Sequence, residues 1–593
     1  MQRCIFTLCI FLFPIIVNFN TFNIKNKTMN NTIIVWNEGG NFMKKRTAKW
    51  LTTILLSATM ILGLTACNSK SEPTTGETTA ESKAEYNLPS NETETAPVDK
   101  ANVKEIMNIA VSQEGANYDV HKTTTLVARQ LFSGTVWEKL VTLNGNAEVV
   151  PELCSSWEMS EDATTFTFNL REGVLFHDGT ELKADDVVAS MNRWIEAFST
   201  AKDLVGNGRF EKVDDYTVKI VCDSAALTLV DMMAGAAQPA IVTTKSICEN
   251  EDENGYLKEY IGTGPYKFVE WVQGQYITFE KFDDYVPYYL EGTTEEIMDG
   301  WAGYKHAYTK QLKFWYVPEA ATRVAGLQTG QYDVILSLDS ENSKIVEGST
   351  GLEVASEQAG TIALVFNKSE ESIAQDINIR HAVNAVANSD DLMMSAFGDY
   401  YDLGSCYMDE SNAFWLTDAG SEYYNIKDEA KAKEYLETAG YKGETFKILA
   451  PTLNHYDNIA LVLKAELEAI GMTVEVETVD WATFTTLRED KTVFDLYITS
   501  FASVPVPSLK AYYGPEYPGW TVDNTMAEKL AAFNQSTTKE QAYEAWVALQ
   551  QYSWEYLPCI NAGHYGTGYG YSEAVSGLSF GNGVYFWDAY IPQ

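Results

Sequence analysis

The chain has no run of about 20 consecutive apolar residues, which excludes a multi-spanning membrane protein. Positive charge is scarce: 43 basic residues against 82 acidic ones leave a net charge of −39. A surface this acidic repels phosphate backbones, so no nucleic-acid partner is expected. Only six histidines occur in 593 residues and none cluster at ligand spacing, so no metal or other cofactor is expected. No C-x-x-C occurs, which removes zinc-ribbon and thioredoxin-like chemistry. H-E-x-x-H is absent and no paired carboxylates stand out, so an enzyme is not expected. Apolar and aromatic residues are plentiful instead. Hydrophobic residues make up 45% of the chain, enough for a large core. Its 14 Trp, 34 Tyr and 26 Phe suit a protein that grips organic ligands, although large cores use them too. The length points to about three domains.

Residues 43–67 read MKKRTAKWLTTILLSATMILGLTAC. Lys44, Lys45, Arg46 and Lys49 precede a 15-residue apolar run, Trp50–Leu64, of signal-peptide length. The run ends in Leu64-Thr65-Ala66-Cys67, which resembles the bacterial lipobox. That resemblance implies cleavage before Cys67 and a diacylglyceryl group on its thiol. Residues 43–66 are therefore read as a lipoprotein signal peptide, with an ordinary secretory signal as the bland alternative. Residues 1–42 are read as a mis-assigned leader, because Glu38-Gly39-Gly40 can be encoded by a ribosome-binding sequence just before Met43. Residues 67–100 are rich in Ser, Thr, Glu and Pro and are read as a disordered tether of roughly 30 Å. The expected location is the outer face of a bacterial cytoplasmic membrane, lipid-anchored and extracytoplasmic. Beyond Cys67 five cysteines remain, an odd number. Buried free thiols are expected, with Cys222–Cys248 as one candidate bridge.

Residues 103–111 and 164–170 have strand patterns, and Val187, Val188, Met191 and Trp194 recur at helical spacing. Strands are also expected at 216–221 and on both sides of Gly274. From Ile362 onward strands alternate with helices: strands at 362–367, 446–450, 473–478 and 495–499, and helices at 379–387, 428–439 and 457–470. This is an α/β pattern with a helix-flanked sheet. The glycine-rich Gly563–Gly570 lacks a strand-then-helix context and is expected to be a loop. His177-Asp178-Gly179 is read as a turn rather than a catalytic pair. The acidic run Glu249–Glu253 is read as a solvated loop rather than a calcium site.

Val136–Trp194 (VWEKLVTLNGNAEVVPELCSSWEMSEDATTFTFNLREGVLFHDGTELKADDVVASMNRW) resembles the region that marks extracellular solute-binding proteins of family 5, the peptide/nickel class of ABC importers. GTGPYKFVEW (262–271), LKFWYVPEAATRVAGLQTGQYDVI (312–335), IRHAVNAVANSDDLM (379–393) and DEAKAKEYLETAGYKG (428–443) follow in the family's order. The resemblance covers residues 103–593. It implies a two-lobed periplasmic-binding-protein-like α/β fold, type II in its large three-domain variant, with a hinged ligand cleft. On that pattern domain I comprises 101–137, 246–358 and 564–593, domain II 138–245, and domain III 359–563. The lobes would be joined by crossings near Gln358–Thr361 and Asn561–Tyr565. The implied partners are an ABC importer permease with its ATPase, and the protein is expected to be a monomer.

The resemblance carries five ligand-binding candidates onto this chain: Thr124, Trp415, Trp481, Arg488 and Phe501. Core packing competes with ligand contact at both tryptophans and at Phe501. Peptide binders of the family place an Asp where this chain has Val504, in Ser500-Phe501-Ala502-Ser503-Val504. A buried ammonium without a counter-charge costs several kcal/mol, about the worth of tight binding. Either another acid substitutes or the ligand lacks a free amine. Peptide ranks first as ligand and oligosaccharide second; nickel and haem are not indicated. Two other readings remain: a lipid-anchored hydrolase, and a receptor that uses the same cleft without feeding a transporter.

Overall fold

Phe166, Phe168 and Leu170 point one way along their strand, and Val218 and Ile220 do so along its neighbour; all five are buried. That period of two builds one half-buried sheet, and it is one of two large layers in the molecule. The computed structural model describes residues 102–593, apart from residues 124, 237, 291 and 582 and the side chains of Ser411 and Asn412. The leader, signal peptide, Cys67 and tether assignments lie outside the described residues, as does Thr124.

The first elements are β1 (Ile106–Val111) and α1 (Leu126–Phe132). Next come β2 (Cys154–Met159), β3 (Thr165–Leu170), α2 (Ala184–Ala197), β4 (Phe210–Asp214) and β5 (Thr217–Val221). These four strands form a sheet in the order β2-β3-β5-β4. Helix α2 buries Val187, Met191, Trp194 and Ile195, the stripe its spacing implies.

Further along are β6 (Tyr266–Val272), β7 (Tyr276–Lys281), β8 (Gln311–Tyr316), α3 (Ala320–Gln328), β9 (Val334–Leu338), α4 (Ser340–Glu347) and β10 (Leu352–Phe366). Then follow α5 (Ile377–Val386), α6 (Glu429–Ala439), β11 (Thr445–Pro451), α7 (Tyr456–Ala469), β12 (Thr473–Val479), α8 (Trp481–Leu487), β13 (Leu496–Ala502), α9 (Lys539–Tyr556) and β14 (Cys559–Ser572). A single mixed sheet runs β12-β11-β13-β10-β14-β9-β1-β8-β7-β6, and Tyr401–Asp402 pairs beside β14. Strands β1 and β6–β9 lie on one side of the β10–β14 pair and β11–β13 on the other. The sheet is mixed and carries helices between its strands, an α/β arrangement.

Strands β10 and β14, 15 and 14 residues long, are the only pair that runs through both halves of this sheet. They pair antiparallel from Leu352↔Ser572 to Val365↔Cys559, with register shifts between Gln358 and Gly360 and between Ile362 and Ala363. Both irregularities fall where the crossings between lobes are expected.

Three expectations change. The strand expected at 362–367 begins ten residues earlier, at Leu352. Polar residues such as Glu353, Glu357 and Gln358 break its apolar run, and only pairing with β14 reveals it. Gly563–Gly570 is strand rather than loop. Its glycines are needed because α4 and α3 lie hard against that face: a Cβ on Gly568 would stand 2.5 Å from Ser343 Oγ. Cys222 and Cys248 form no bridge, and all five described cysteines are free thiols.

Candidate functional site

Helix α1 buries Val127, Ala128, Leu131 and Phe132 and turns Leu126, Arg129 and Gln130 the other way. Those three line a cavity of about 40 Å³. Glu357 and Ala359 of β10, Thr567 and Tyr569 of β14, and Tyr585 form its floor. Ala502, the last residue of β13, and Ser503 after it complete the lining. The cavity is therefore lined by α1, by the central pair β10 and β14, and by the end of β13.

Its polar groups are few and buried. Glu357 Oε1 accepts the Tyr569 hydroxyl at 2.7 Å and the Gly583 N–H at 2.6 Å. Burial, the largest influence, pushes this carboxyl up to about 7 despite those donors. Arg129 Nη1 donates to the Ala236 carbonyl at 3.0 Å. Ser503 is 7% exposed, and its Oγ has no hydrogen-bond partner among the described residues. Just beyond, on the crossing strands, Gln358 Nε2 donates to Asp402 at 2.7 Å, and His564 Nδ1 lies 3.1 Å from the Thr361 hydroxyl.

Residues 231–235 meet α9 and Pro505. Lys539, at the start of α9, lies 3.6 Å from Asp231 of the β2–β5 side. A Cβ on Gly235 would stand 3.0 Å from the ring of Pro505. Trp415 is buried and donates its indole N–H to the Pro505 carbonyl at 2.9 Å, holding the segment that meets Gly235. Its ring packs against Phe533 at 5.4 Å.

Three other sequence candidates fall together, in one aromatic row. Trp481 opens α8, which Asp480 caps through the Ala482 and Thr483 N–H groups. Its ring is 41% exposed and stacks on Phe484 at 5.2 Å. The Arg488 guanidinium lies 5.9 Å from Phe484 and 5.7 Å from Tyr517. Tyr517 in turn lies 5.8 Å from Phe501. Val504 packs against the largest apolar core among the described residues. None of Trp415, Trp481, Arg488 and Phe501 lines the cavity. Residues that do line it, Arg129, Glu357, Ser503, Tyr569 and Tyr585, are not among the sequence candidates. One signal for them was present: tyrosines at 565, 569 and 571 share the odd positions of a strand, opposite glycines at 566, 568 and 570.

Two motif-like segments are structural. His177 Nδ1 accepts the Gly262 N–H at 3.2 Å, and its Nε2–H donates to the Gly264 carbonyl at 2.9 Å. A neutral ring is required, and burial holds its pKa down to about 4. Glu251 of the acidic run is taken up by Arg193 at 2.7 Å and Lys122 at 3.2 Å. The spacing G-x-S-x-G occurs at Gly577-Leu578-Ser579-Phe580-Gly581. Ser579 lies on a two-residue strand paired with Val584–Tyr585, not on the strand-to-helix turn that exposes a nucleophile.

Residues 148–520, more than half of the chain, match the family model described as "Bacterial extracellular solute-binding proteins, family 5 Middle". A Sinorhizobium fredii protein named "Probable peptide ABC transporter periplasmic-binding protein" is 25% identical over 488 residues, 77% of this chain and 88% of that one. The oligopeptide-binding protein AppA of Bacillus subtilis is 26% identical over 374 residues, 58% of this chain and 62% of that protein. Among solved structures, a dipeptide-binding protein from Pseudoalteromonas sp. SM9913 in complex with Met-Leu shares the fold with a TM-score of 0.68 at 20% identity, over 82% of this chain and all of that one. NikZ from Campylobacter jejuni, in complex with Ni(L-His), does so at 0.66 and 21%, over 82% and 97%. One fold thus houses unlike ligands, and the fold alone does not name the guest. From the family match and the shared fold, the chain belongs to the bacterial extracellular solute-binding proteins, family 5.

Proposed function

We propose that the protein is a lipid-anchored, monomeric receptor that captures an extracellular peptide-like solute in a closing cleft and delivers it to the permease and ATPase of an ABC importer. One observation carries the reading: a mainly apolar cavity with a few polar groups is walled by α1 and β10 on one side and by Ala502 and Ser503 on the other. A guest there touches both lobes only when they shut, so binding favours the closed form. The register shifts of β10 and β14 support bending there, in keeping with domain boundaries near residues 359 and 563. Cys67 carries the lipid. The peptide preference draws support from the names of the relatives.

An oligosaccharide is the second reading. The half-open Trp481 ring stacked on Phe484 is the kind of apolar platform a sugar face uses, and position 504 holds no acid. Thermal-shift screening of di- to hexapeptides against malto- and cello-oligosaccharides separates the two. Peptides are expected to raise the melting temperature, and Trp481→Ala is expected to abolish the rise. Stabilisation by sugars alone reverses the ranking, and turnover of any probe removes the binding-protein reading.

A further inference from the structure

Glu357 is 6% exposed, and no cation reaches it among the described residues. The groups around it are Tyr569 on β14, the Gly581 and Gly583 amides, and Tyr585; Arg129 of α1 lies beyond Tyr585, which senses both charges. An acid sunk in protein without a counter-cation is expensive to keep. This one lines a partly open cavity, so a partner can come from a guest. Across that cavity the Ser503 hydroxyl is buried, without a partner, and carried just past the end of β13. Arg129 supplies N–H donors on a third side. An acid, an unsatisfied hydroxyl and a guanidinium together suit a protonated primary amine next to a carbonyl oxygen. The volume of about 40 Å³ admits such a group but not a whole side chain.

We infer that this cavity is the subsite for the ligand's protonated amine, with Glu357 as its counter-ion, Ser503 as a second acceptor and Arg129 on the neighbouring oxygen. The inference rests on the peptide reading and sharpens it to ligands with a free amino end. The ammonium bridges β10 and the end of β13, so it rewards closure. Tyr569 and Tyr585 are held neutral by burial, which leaves Glu357 as the group of this subsite that titrates near neutrality. Free-amine ligands then bind best from about pH 7 to 8, between the Glu357 carboxyl and the amine's own ionisation. Below that window affinity falls by up to tenfold per pH unit, as the acid takes up a proton.

The test is calorimetry on the folded protein with a tripeptide pool, the same pool N-acetylated, and malto-oligosaccharides. Support is a tenfold or greater preference for free over acetylated peptides that falls below threefold in Glu357→Gln. The preference in the wild type must also shrink at least tenfold between pH 7.5 and 5.5; this arm needs no variant, so it stands if Glu357→Gln fails to fold. Peptide binding in which acetylation costs less than threefold, or in which Glu357→Gln keeps the preference, overturns the amine subsite and leaves the peptide reading intact. Binding of no peptide overturns both.

Discussion

The Glu357 carboxyl of β10 accepts the Tyr569 hydroxyl of β14 at 2.7 Å, two residues along from Thr567, its register partner. The bond joins the two strands that run through both halves of the sheet, at the point where their register is about to shift. The same two strands thus join those halves and line the cavity.

Stability should report this carboxyl directly. In the fold its pKa lies at about 7 rather than the ordinary 4.5, so the native state binds a proton that the unfolded chain has released. The favourable contribution is complete below pH 4.5 and is lost as pH rises through 7. By linkage the loss amounts to roughly 3 kcal/mol. Urea unfolding at pH 5 and pH 7.5 should show this slope in the wild type and a flatter one in Glu357→Gln. Parallel slopes would refute the buried-acid assignment.

His177 predicts the opposite sign. Its pKa is lowered to about 4, so the neutral ring stabilises the fold above the ordinary 6.5 and that support is lost as pH falls toward 4. His177→Ala removes both bonds to the 262–264 segment and should cost about 2–3 kcal/mol. Thermal melts measure the loss, and ligand affinity should stay unchanged.

Trp415 and Trp481 should behave differently. Trp415 is 2% exposed, and Trp415→Ala should destabilise by about 3–5 kcal/mol. Trp481 is 41% exposed, and Trp481→Ala should change stability by less than about 1 kcal/mol while weakening ligand binding. Paired denaturation and binding measurements check both. Equal destabilisation would return Trp481 to the core.

Gly568→Ala should be costly for a residue of small volume change. Its Cβ would meet Ser343 Oγ at 2.5 Å, so α4 must shift from β14. A loss of about 1–3 kcal/mol in urea unfolding is expected, and a neutral result would mean that α4 yields freely.

Local pattern was legible from the chain alone. The alternation of Phe166, Phe168 and Leu170, the spacing of Val187, Met191 and Trp194, and the left-handed Gly440 after α6 each stabilise an element through neighbours a few residues away. Ordered blocks along the chain also identified the family and hence the fold. The cavity was not legible. Glu357 reads as an exposed strand residue until β14 and Gly583, more than 200 positions on, close over it. The glycines at 568 and 570 read as a loop, because glycine favours strands poorly and only α3 and α4 pressing on that face make its lack of a side chain useful. Burial and desolvation come from the whole fold, and they turned an ordinary acid into one that holds its proton up to about pH 7.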